Sequence, residues 1–209
     1  MVTVWNKEYS KGDTFGINPD ATTIEIANRL PMGSRVLDYG CGQGRNAVYL
    51  AKRGLFVVGF DLAEEGVRRT RSYAKELGVS DKVRVFVSDG LSPAIDPRLM
   101  FNGVICIYVF DYISPFPEPI DTERTNRVLN HIKQIVLPGG YVGISFARIH
   151  TFPETEKRID REYSEDRLGE AFSDWEDVEL DANWGGERQT PWGVKNNFDV
   201  RLIARKPAK

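Results

Sequence analysis

The sequence is poor in the residues that most often form cross-links and metal sites. It has only two cysteines, Cys41 and Cys106, and two histidines in 209 residues. So few cysteines exclude a disulfide framework and predict a reducing compartment, which we expect to be the cytoplasm. Because His131 and His150 lie far apart in the sequence, we expect no metal site. A histidine–carboxylate site with Asp111 is the alternative that stays open.

The sequence also lacks a charge excess and long apolar runs. A net charge of −2 and a pI near 5.8 supply no bulk attraction to phosphate backbones, so we expect no nucleic-acid partner. No stretch approaches the roughly 20 apolar residues of a membrane span, and the first residues lack the apolar run of a secretory signal. We expect no membrane partner either, and the sequence leaves the oligomeric state open.

Apolar runs typical of buried strands alternate with segments of helical periodicity between about residues 20 and 146. Asp20 is suited to cap the first helix, whose apolar face would be Ile24, Ala27 and Leu30. This alternation predicts an α/β fold with a doubly wound, mostly parallel sheet. The predicted strands are 35–39, 56–60, 83–87, 103–108 and 141–146, and the predicted helices are 20–30, 45–52, 64–77 and 122–136.

The pattern changes after a last predicted helix at 164–172. Two segments with period-two alternation, 175–181 and 198–205, follow each other without a helix between them. Consecutive strands of this kind predict an antiparallel pair at one edge of the sheet. The intervening residues 182–197 are expected to form a long loop.

Three closely spaced glycines, Gly40, Gly42 and Gly44, lie between the first predicted strand and the next helix. At such a junction glycine lets the chain turn sharply and lets a ligand contact the backbone. Asp61 ends the second strand, where a carboxylate can accept hydrogen bonds from both hydroxyls of an adenosine ribose. Asp89 follows the third strand at the same edge. Together these residues predict a site for an adenosine-containing cofactor.

At these motifs the chain resembles the class I S-adenosylmethionine-dependent methyltransferases. Residues 36–44 are similar to the first motif of that family, 60–61 to the second, 88–90 to the third, and 137–140 to the turn before the fifth strand. The Gly-Gln-Gly-Arg-Asn sequence at 42–46, followed by Tyr-Leu-Ala, is similar to the small-molecule methyltransferases of the tellurite-resistance type. The resemblance implies a seven-stranded, Rossmann-like sheet with one antiparallel strand, and S-adenosyl-L-methionine as cofactor.

The resemblance also assigns roles to residues. The glycine turn would hold the methionyl part of the cofactor, Asp61 the ribose and Asp89 the adenine amino group, with Leu62 packed on the adenine. Asp38 would orient the turn, unless it is a plain carboxylate at the end of a strand. The candidate cofactor-binding residues are Asp38, Gly40, Cys41, Gly42, Gly44, Asn46, Asp61, Leu62, Ser88, Asp89, Gly90 and Tyr108.

Methyl transfer needs a base only if the acceptor is protonated at the working pH. The candidate catalytic residues are Asp111 and Tyr112, after the fourth strand, and His150, after the fifth. The alternative for Asp111 and His150 is that they are ordinary residues of exposed loops. Aromatic residues gather in the segments expected near the pocket, where they suit a planar or apolar acceptor or simply fill the core: Trp5, Tyr9, Phe15, Phe110, Tyr112, Trp184 and Trp192.

We therefore predict an enzyme that transfers a methyl group to a small-molecule acceptor. One domain would span residues 1–209, with an N-terminal cap segment (1–32), a cofactor-binding core (33–147) and a C-terminal helix and strand pair (148–209). An NAD(P)-dependent oxidoreductase is one alternative, although Arg45 stands where the dinucleotide fingerprint has its last glycine. A methyltransferase-like protein that binds the cofactor without turnover is another.

Overall fold

The computed structural model describes residues 2–91, 95–96, 98–110, 122–147, 149–151, 158–160, 165–184, 187–190, 193–196 and 199–209. Within these ranges the α-helices are Val2–Ser10 (α1), Ala21–Arg29 (α2), Arg45–Lys52 (α3), Glu64–Glu76 (α4), Thr122–Ile135 (α5) and Glu165–Ala171 (α6). Among the helices of this described part of the chain, we find none with the length and apolarity that a membrane crossing requires.

Seven strands form the central sheet, in the order β3-β2-β1-β4-β5-β11-β8. All neighbouring strands run parallel except β11, which is antiparallel to both β5 and β8. The predicted doubly wound sheet with its antiparallel C-terminal pair is therefore confirmed. The strands of this sheet are Arg35–Tyr39 (β1), Phe56–Asp61 (β2), Val83–Val87 (β3), Phe101–Ile107 (β4), Val136–Ala147 (β5), Glu176–Trp184 (β8) and Asp199–Arg205 (β11).

Hydrophobic cores cover both faces of the sheet, because successive side chains of a strand point to opposite faces. In β1, Val36 packs in the core formed with α2, α3 and α4, whereas Leu37 packs in the core formed with α5 and α6. In β4, Val104 and Ile105 divide between the same two cores. Apolar side chains therefore cover both faces of β1 and β4, whereas Asp38 and Asp61 lie near the carboxyl ends of β1 and β2.

The first predicted helix is present, but its buried face differs from the prediction. Asp20 caps α2 as expected, since its Oδ1 accepts a hydrogen bond from Thr22 N over 3.0 Å. The helix buries Thr22, Thr23, Ile26 and Ala27. Of the predicted apolar face only Ala27 is buried, whereas Ile24 and Leu30 are half-buried. Thr22 is tolerated in the core because its hydroxyl shares a hydrogen bond of 2.6 Å with the buried hydroxyl of Ser145 in β5.

Three local predictions were wrong. Residues 182–197 do not form one loop, because they contain the end of β8 and an antiparallel hairpin of Glu187–Thr190 (β9) and Gly193–Asn196 (β10). No strand was predicted between β5 and the last helix, yet this segment contains the paired strands Ile149–Thr151 (β6) and Arg158–Asp160 (β7). The turn at 137–140 lies inside β5: Val136 pairs with Phe101 and Tyr141 with Gly103, so the intervening residues bulge out of the register.

We expect Phe146→Ala to lower the free energy of unfolding by about 3–5 kcal/mol, because the residue is fully buried in β5 and its removal leaves a cavity. Phe56→Ala in β2 is the matched control. That side chain is 49% exposed, so its loss should cost about 1 kcal/mol or less. Urea denaturation of both variants measures the difference, and equal losses would show that the core is not centred where the structure places it.

Candidate active site

A cavity of about 310 Å³ opens at the edge of the sheet where β1, β2, β3 and β4 end. Apart from Asp38 and Gly44, the candidate cofactor-binding residues all line it: Gly40, Cys41, Gly42, Asn46, Asp61, Leu62, Ser88, Asp89, Gly90 and Tyr108. The structure thus brings together residues from four separate segments. This follows from the parallel topology, which places the carboxyl ends of neighbouring strands at one edge.

The glycine turn has the backbone that its sequence predicts. Gly40 has a φ of +78°, and a Cβ built on it would lie 2.5 Å from Cγ2 of Val109. Gly44, with a φ of +89°, is the N-cap residue of α3 and contacts Thr70 in place of the cavity. A side chain at either position would be strained and would clash. The turn therefore presents bare backbone to the cavity, as close contact with a ligand requires.

Asp61 joins the loop after β2 to the glycine turn. Its Oδ2 accepts a hydrogen bond from Gly42 N, and its Oδ1 accepts one from Ala63 N, each over 2.8 Å. Burial raises the pKa of this carboxyl, while the hydrogen bonds from Ala63 and Gly42 act in the opposite direction. Each oxygen retains further capacity to accept a hydrogen bond, and the residue lies on the cavity wall.

Asp38 lies at the end of β1, beneath the turn and outside the cavity lining. Only 1% of the residue is exposed, and among the described residues its Oδ2 has no hydrogen-bond partner. Burial, assisted by the negative charge of Asp61, raises the pKa of Asp38 from 3.8 to about 7. Arg45 and a hydrogen bond from the backbone of Ala47 lower it. A protonated, neutral Asp38 is therefore accessible at physiological pH.

The loop after β3 is bonded to its neighbours through the backbone. Ser88 N donates to the carbonyl of Asp61 over 3.0 Å, and the hydroxyl of Tyr39 donates to the carbonyl of Gly90. The side chain of Asp89 accepts a hydrogen bond from Leu91 N over 2.9 Å. Leu62 and Leu91 both line the cavity near these groups. Hydrogen bonds thus join the glycine turn, the Asp61 loop and the loop after β3 into one rim of the cavity, where leucine side chains lie beside carboxylates.

Arg45 contributes a cation to the cavity wall. Its guanidinium donates to the carbonyl of Asn18 over 3.3 Å and lies 3.8 Å from Oδ2 of Asp20. The neighbouring Asn46 accepts a hydrogen bond from Asp20 N over 2.9 Å. The start of α3 is therefore connected to the segment that precedes α2, and Arg45 occupies the space that a dinucleotide fingerprint leaves for glycine.

An N-terminal cover, residues 2–16, closes another side of the cavity. Trp5, Tyr9 and Phe15 all line it, with ring centroids 5.3 Å apart for Trp5–Tyr9 and 5.9 Å for Trp5–Phe15. Sequence reasoning placed these aromatic residues near the pocket but did not predict α1. The helix spans nine residues, and only Trp5 and Tyr9 in it are buried. Two buried residues in nine are too few to show helical periodicity in the sequence.

Tyr108 adopts a strained conformation at the end of β4. Its φ is +58°, which is uncommon for a residue other than glycine and is often found at functional sites. The backbone N donates to the carbonyl of Ser145 over 2.6 Å, and the hydroxyl donates to Oδ2 of buried Asp199 over 2.5 Å. Asp199 was not predicted, because nothing in the sequence shows that β11 begins beside the end of β5, within reach of Tyr108.

The candidate catalytic residues are Asp111, Tyr112 and His150. Asp111 and Tyr112 lie outside the described residues, as does Trp192. His150 belongs to β6 and not to a loop, but its side chain lies outside the described atoms. The cavity also includes Gln43, Ile107, Val109, Arg124 and Val128, which sequence reasoning did not identify. Gln43 was detectable from its place inside the glycine turn, whereas Arg124 lies on α5 with no motif around it.

A family model described as a methyltransferase domain matches residues 19–183. The ubiquinone biosynthesis O-methyltransferase of Bordetella avium is 32% identical over 143 residues, which cover 68% of this chain and 54% of that protein. A probable S-adenosyl-L-methionine-dependent methyltransferase, TehB of Haemophilus influenzae, is 24% identical over 203 residues, covering 94% of this chain and 67% of that protein. The chain spans about half the length of the ubiquinone O-methyltransferases it matches.

Solved structures share the fold. The crystal structure of TehB from Haemophilus influenzae superposes with a TM-score of 0.71 and 22% identity, covering 90% of this chain and 62% of that one. Magnesium protoporphyrin IX methyltransferase from Synechocystis, solved with bound S-adenosylmethionine, gives a TM-score of 0.59 and 21% identity, covering 89% and 75%. With the sheet order and the glycine turn, the domain match shows that the chain belongs to the methyltransferase domain family, in its class I, S-adenosylmethionine-dependent group.

Proposed function

We propose that this protein transfers a methyl group from S-adenosyl-L-methionine to a small-molecule acceptor. The observation that carries the proposal is the convergence of three loops on one cavity: the glycine turn, the Asp61 loop and the loop containing Asp89. The family match supports the cofactor. The names of the curated relatives, an O-methyltransferase of ubiquinone biosynthesis and TehB, support a small acceptor.

The residues present fit the cofactor. Gly40 offers a surface without a side chain where the methionyl part would contact backbone, and Asp61 retains acceptor capacity for the ribose hydroxyls. Leu62 and Leu91 would enclose the adenine, and Asp89 would accept a hydrogen bond from its amino group. The cavity volume of about 310 Å³ lies at the lower end of the range for small-molecule sites. The acceptor must therefore be bound partly by segments beyond this rim.

When bound, the cofactor supplies a methyl group made electrophilic by the adjacent sulfonium. The chain has to orient the cofactor and exclude water, since alignment of the reactants supplies much of the rate in such a transfer. Trp5, Tyr9 and Phe15 can shield one side of the cavity from solvent. Asp111, Tyr112 and His150 remain the proposed candidates for binding the acceptor or accepting its proton.

We also propose that the protein works in the cytoplasm and acts on a small molecule and not on nucleic acid. The two cysteines are free and buried, which supports a protein that works in the reducing cytoplasm. The low net charge supports a small-molecule acceptor over nucleic acid.

S-adenosylmethionine and S-adenosylhomocysteine should each raise the melting temperature, because a ligand that binds the native state stabilises it. At a concentration of about 100 times Kd the native state gains about 2.7 kcal/mol. Differential scanning fluorimetry with both ligands and with NADH measures the effect. Stabilisation by NADH alone would instead favour the oxidoreductase alternative. Tight cofactor binding without turnover of any acceptor class would favour a binding protein.

Asp61→Asn should weaken S-adenosylhomocysteine binding about tenfold to a hundredfold, because a neutral amide loses charge-assisted hydrogen bonds worth about 1.5–3 kcal/mol. Asparagine keeps one oxygen acceptor and so disturbs the loop less than alanine would. Asp81→Asn is the control, since Asp81 is exposed and pairs with Lys82 at the surface. Titration calorimetry on both variants decides, and equal affinities would assign Asp61 a purely structural role.

The contribution of Asp38 to the stability of the ligand-free protein should fall as the pH rises from about 4 to about 7. The folded protein retains a proton on Asp38 in that range, because its pKa is raised from 3.8 to about 7, whereas the unfolded chain has released it. A shift of about three units corresponds to at most about 4 kcal/mol.

Asp38→Asn should therefore reduce this slope and raise stability at pH 8 more than at pH 5. Urea denaturation at both pH values measures the change, with Asp81→Asn as a control for surface charge. Parallel pH profiles for the wild type and Asp38→Asn would show that Asp38 titrates normally in the folded protein.

A further inference from the structure

Gln43 makes contacts that neither the family match nor the cofactor motifs explain. It lies between Gly42 and Gly44, and its backbone belongs to the glycine turn, yet its side chain points to the N-terminal cover. Its Oε1 accepts a hydrogen bond from Thr14 N over 2.8 Å. Its Nε2 donates to the carbonyl of Tyr9 over 3.1 Å and to that of Gly12. Both the oxygen and the nitrogen of the Gln43 side-chain amide are therefore hydrogen-bonded to the cover.

Those bonds satisfy backbone groups at the end of α1 and in the turn after it. A helix leaves its last carbonyls without partners inside the helix, and Tyr9 is the penultimate residue of α1. A helix of nine residues is marginal in water without tertiary contacts. The order of α1 thus depends on what holds its end, and Gln43 supplies one hydrogen bond there, at Tyr9, and two in the turn that follows.

A second set of contacts joins the cover to the Asp61 loop. Oδ1 of Asn6 accepts a hydrogen bond from Glu65 N over 2.9 Å, at the start of α4, where the N-cap residue Ala63 has no side-chain oxygen. Tyr9 packs over Gly66, where a Cβ would lie 3.0 Å from the tyrosine ring. The cover therefore contacts two of the three loops of the cofactor rim, the glycine turn and the Asp61 loop with the start of α4.

The cover also contacts the cavity itself. Trp5 and Tyr9 are 8% and 7% exposed, and together with Phe15 they line the same space as Gly40, Gly42 and Asp61. A ligand in the cavity would touch the aromatic rings on one side and the glycine turn on the other. The side chain of Gln43 is bonded to the cover while its backbone belongs to the glycine turn.

We propose that Gln43 is a positioning residue that couples the N-terminal cover to the glycine turn, so that cofactor binding and the ordering of residues 2–16 support each other. The proposal rests on the proposed function, since the coupled ligand is the adenosyl cofactor. The cover shields the bound cofactor, and Gln43 acts through Trp5 and Tyr9 without needing to contact the reacting atoms.

The test combines amide hydrogen exchange, followed by mass spectrometry, with calorimetric titration of S-adenosylhomocysteine on the full chain. Gln43→Met keeps the length of the side chain and removes its hydrogen bonds. The same substitution at Gln134, an exposed position on α5, is the matched control. Asn6→Ala removes the hydrogen bond between the cover and Glu65 and leaves the sequence of the glycine turn unchanged. It tests the coupling of the cover to the cofactor if Gln43→Met fails to fold.

In the wild type and in Gln134→Met we expect the ligand to slow exchange in residues 2–16 at least about fivefold. In Gln43→Met the same residues should exchange faster without ligand, and the Kd should rise about tenfold, as the loss of these hydrogen bonds implies. Asn6→Ala should change both measurements in the same direction.

Binding to the wild type without protection of residues 2–16 would overturn the coupling and leave the proposed function standing. An unchanged Kd in Gln43→Met, or unchanged exchange in residues 2–16 without ligand, would also overturn it. Absence of any binding to the wild type would refute the proposed function, and the coupling with it.

Discussion

Asp61 accepts hydrogen bonds from the backbone N–H groups of two separate loops, at Gly42 and at Ala63. The constraint behind this is topological, because parallel β1 and β2 end side by side and their loops must share one narrow edge. A carboxylate at this edge stabilises both turns and at the same time lines the cavity. Burial of the same group raises its pKa, so the backbone donors also help to keep it charged.

Most of the sheet was predictable, because each strand that is buried on both faces leaves a continuous apolar run in the sequence. Elements were missed or misjudged where their own residues show little apolar periodicity, or where their contacts come from distant parts of the sequence. The strands β9 and β10 consist largely of polar residues, and α1 has only two buried side chains. The buried face of α2 was misjudged because Thr22 is paired with Ser145, which is 123 residues away in the sequence.

The same distinction applies to the candidate site. The glycine turn, Asp61 and Asp89 were predictable because each belongs to one short motif at the end of a strand. Gln43 and Asp199 acquire their contacts from distant segments, and Arg124 reaches the cavity from a helix without any motif. The acceptor side is the hardest to derive from sequence, since the loops that bind acceptors vary within one fold and carry specificity.

The position of β11 has a consequence for synthesis of the chain. In sequence β8 precedes β11, but in the sheet β8 lies outside it and pairs with no other strand of that sheet. While the ribosome is still making β11, β5 therefore presents an unpaired edge, and β8 has no neighbour in the sheet. Such unpaired edges favour association with other chains. The edge of β5 is covered only when β11 has been made and has paired between β5 and β8.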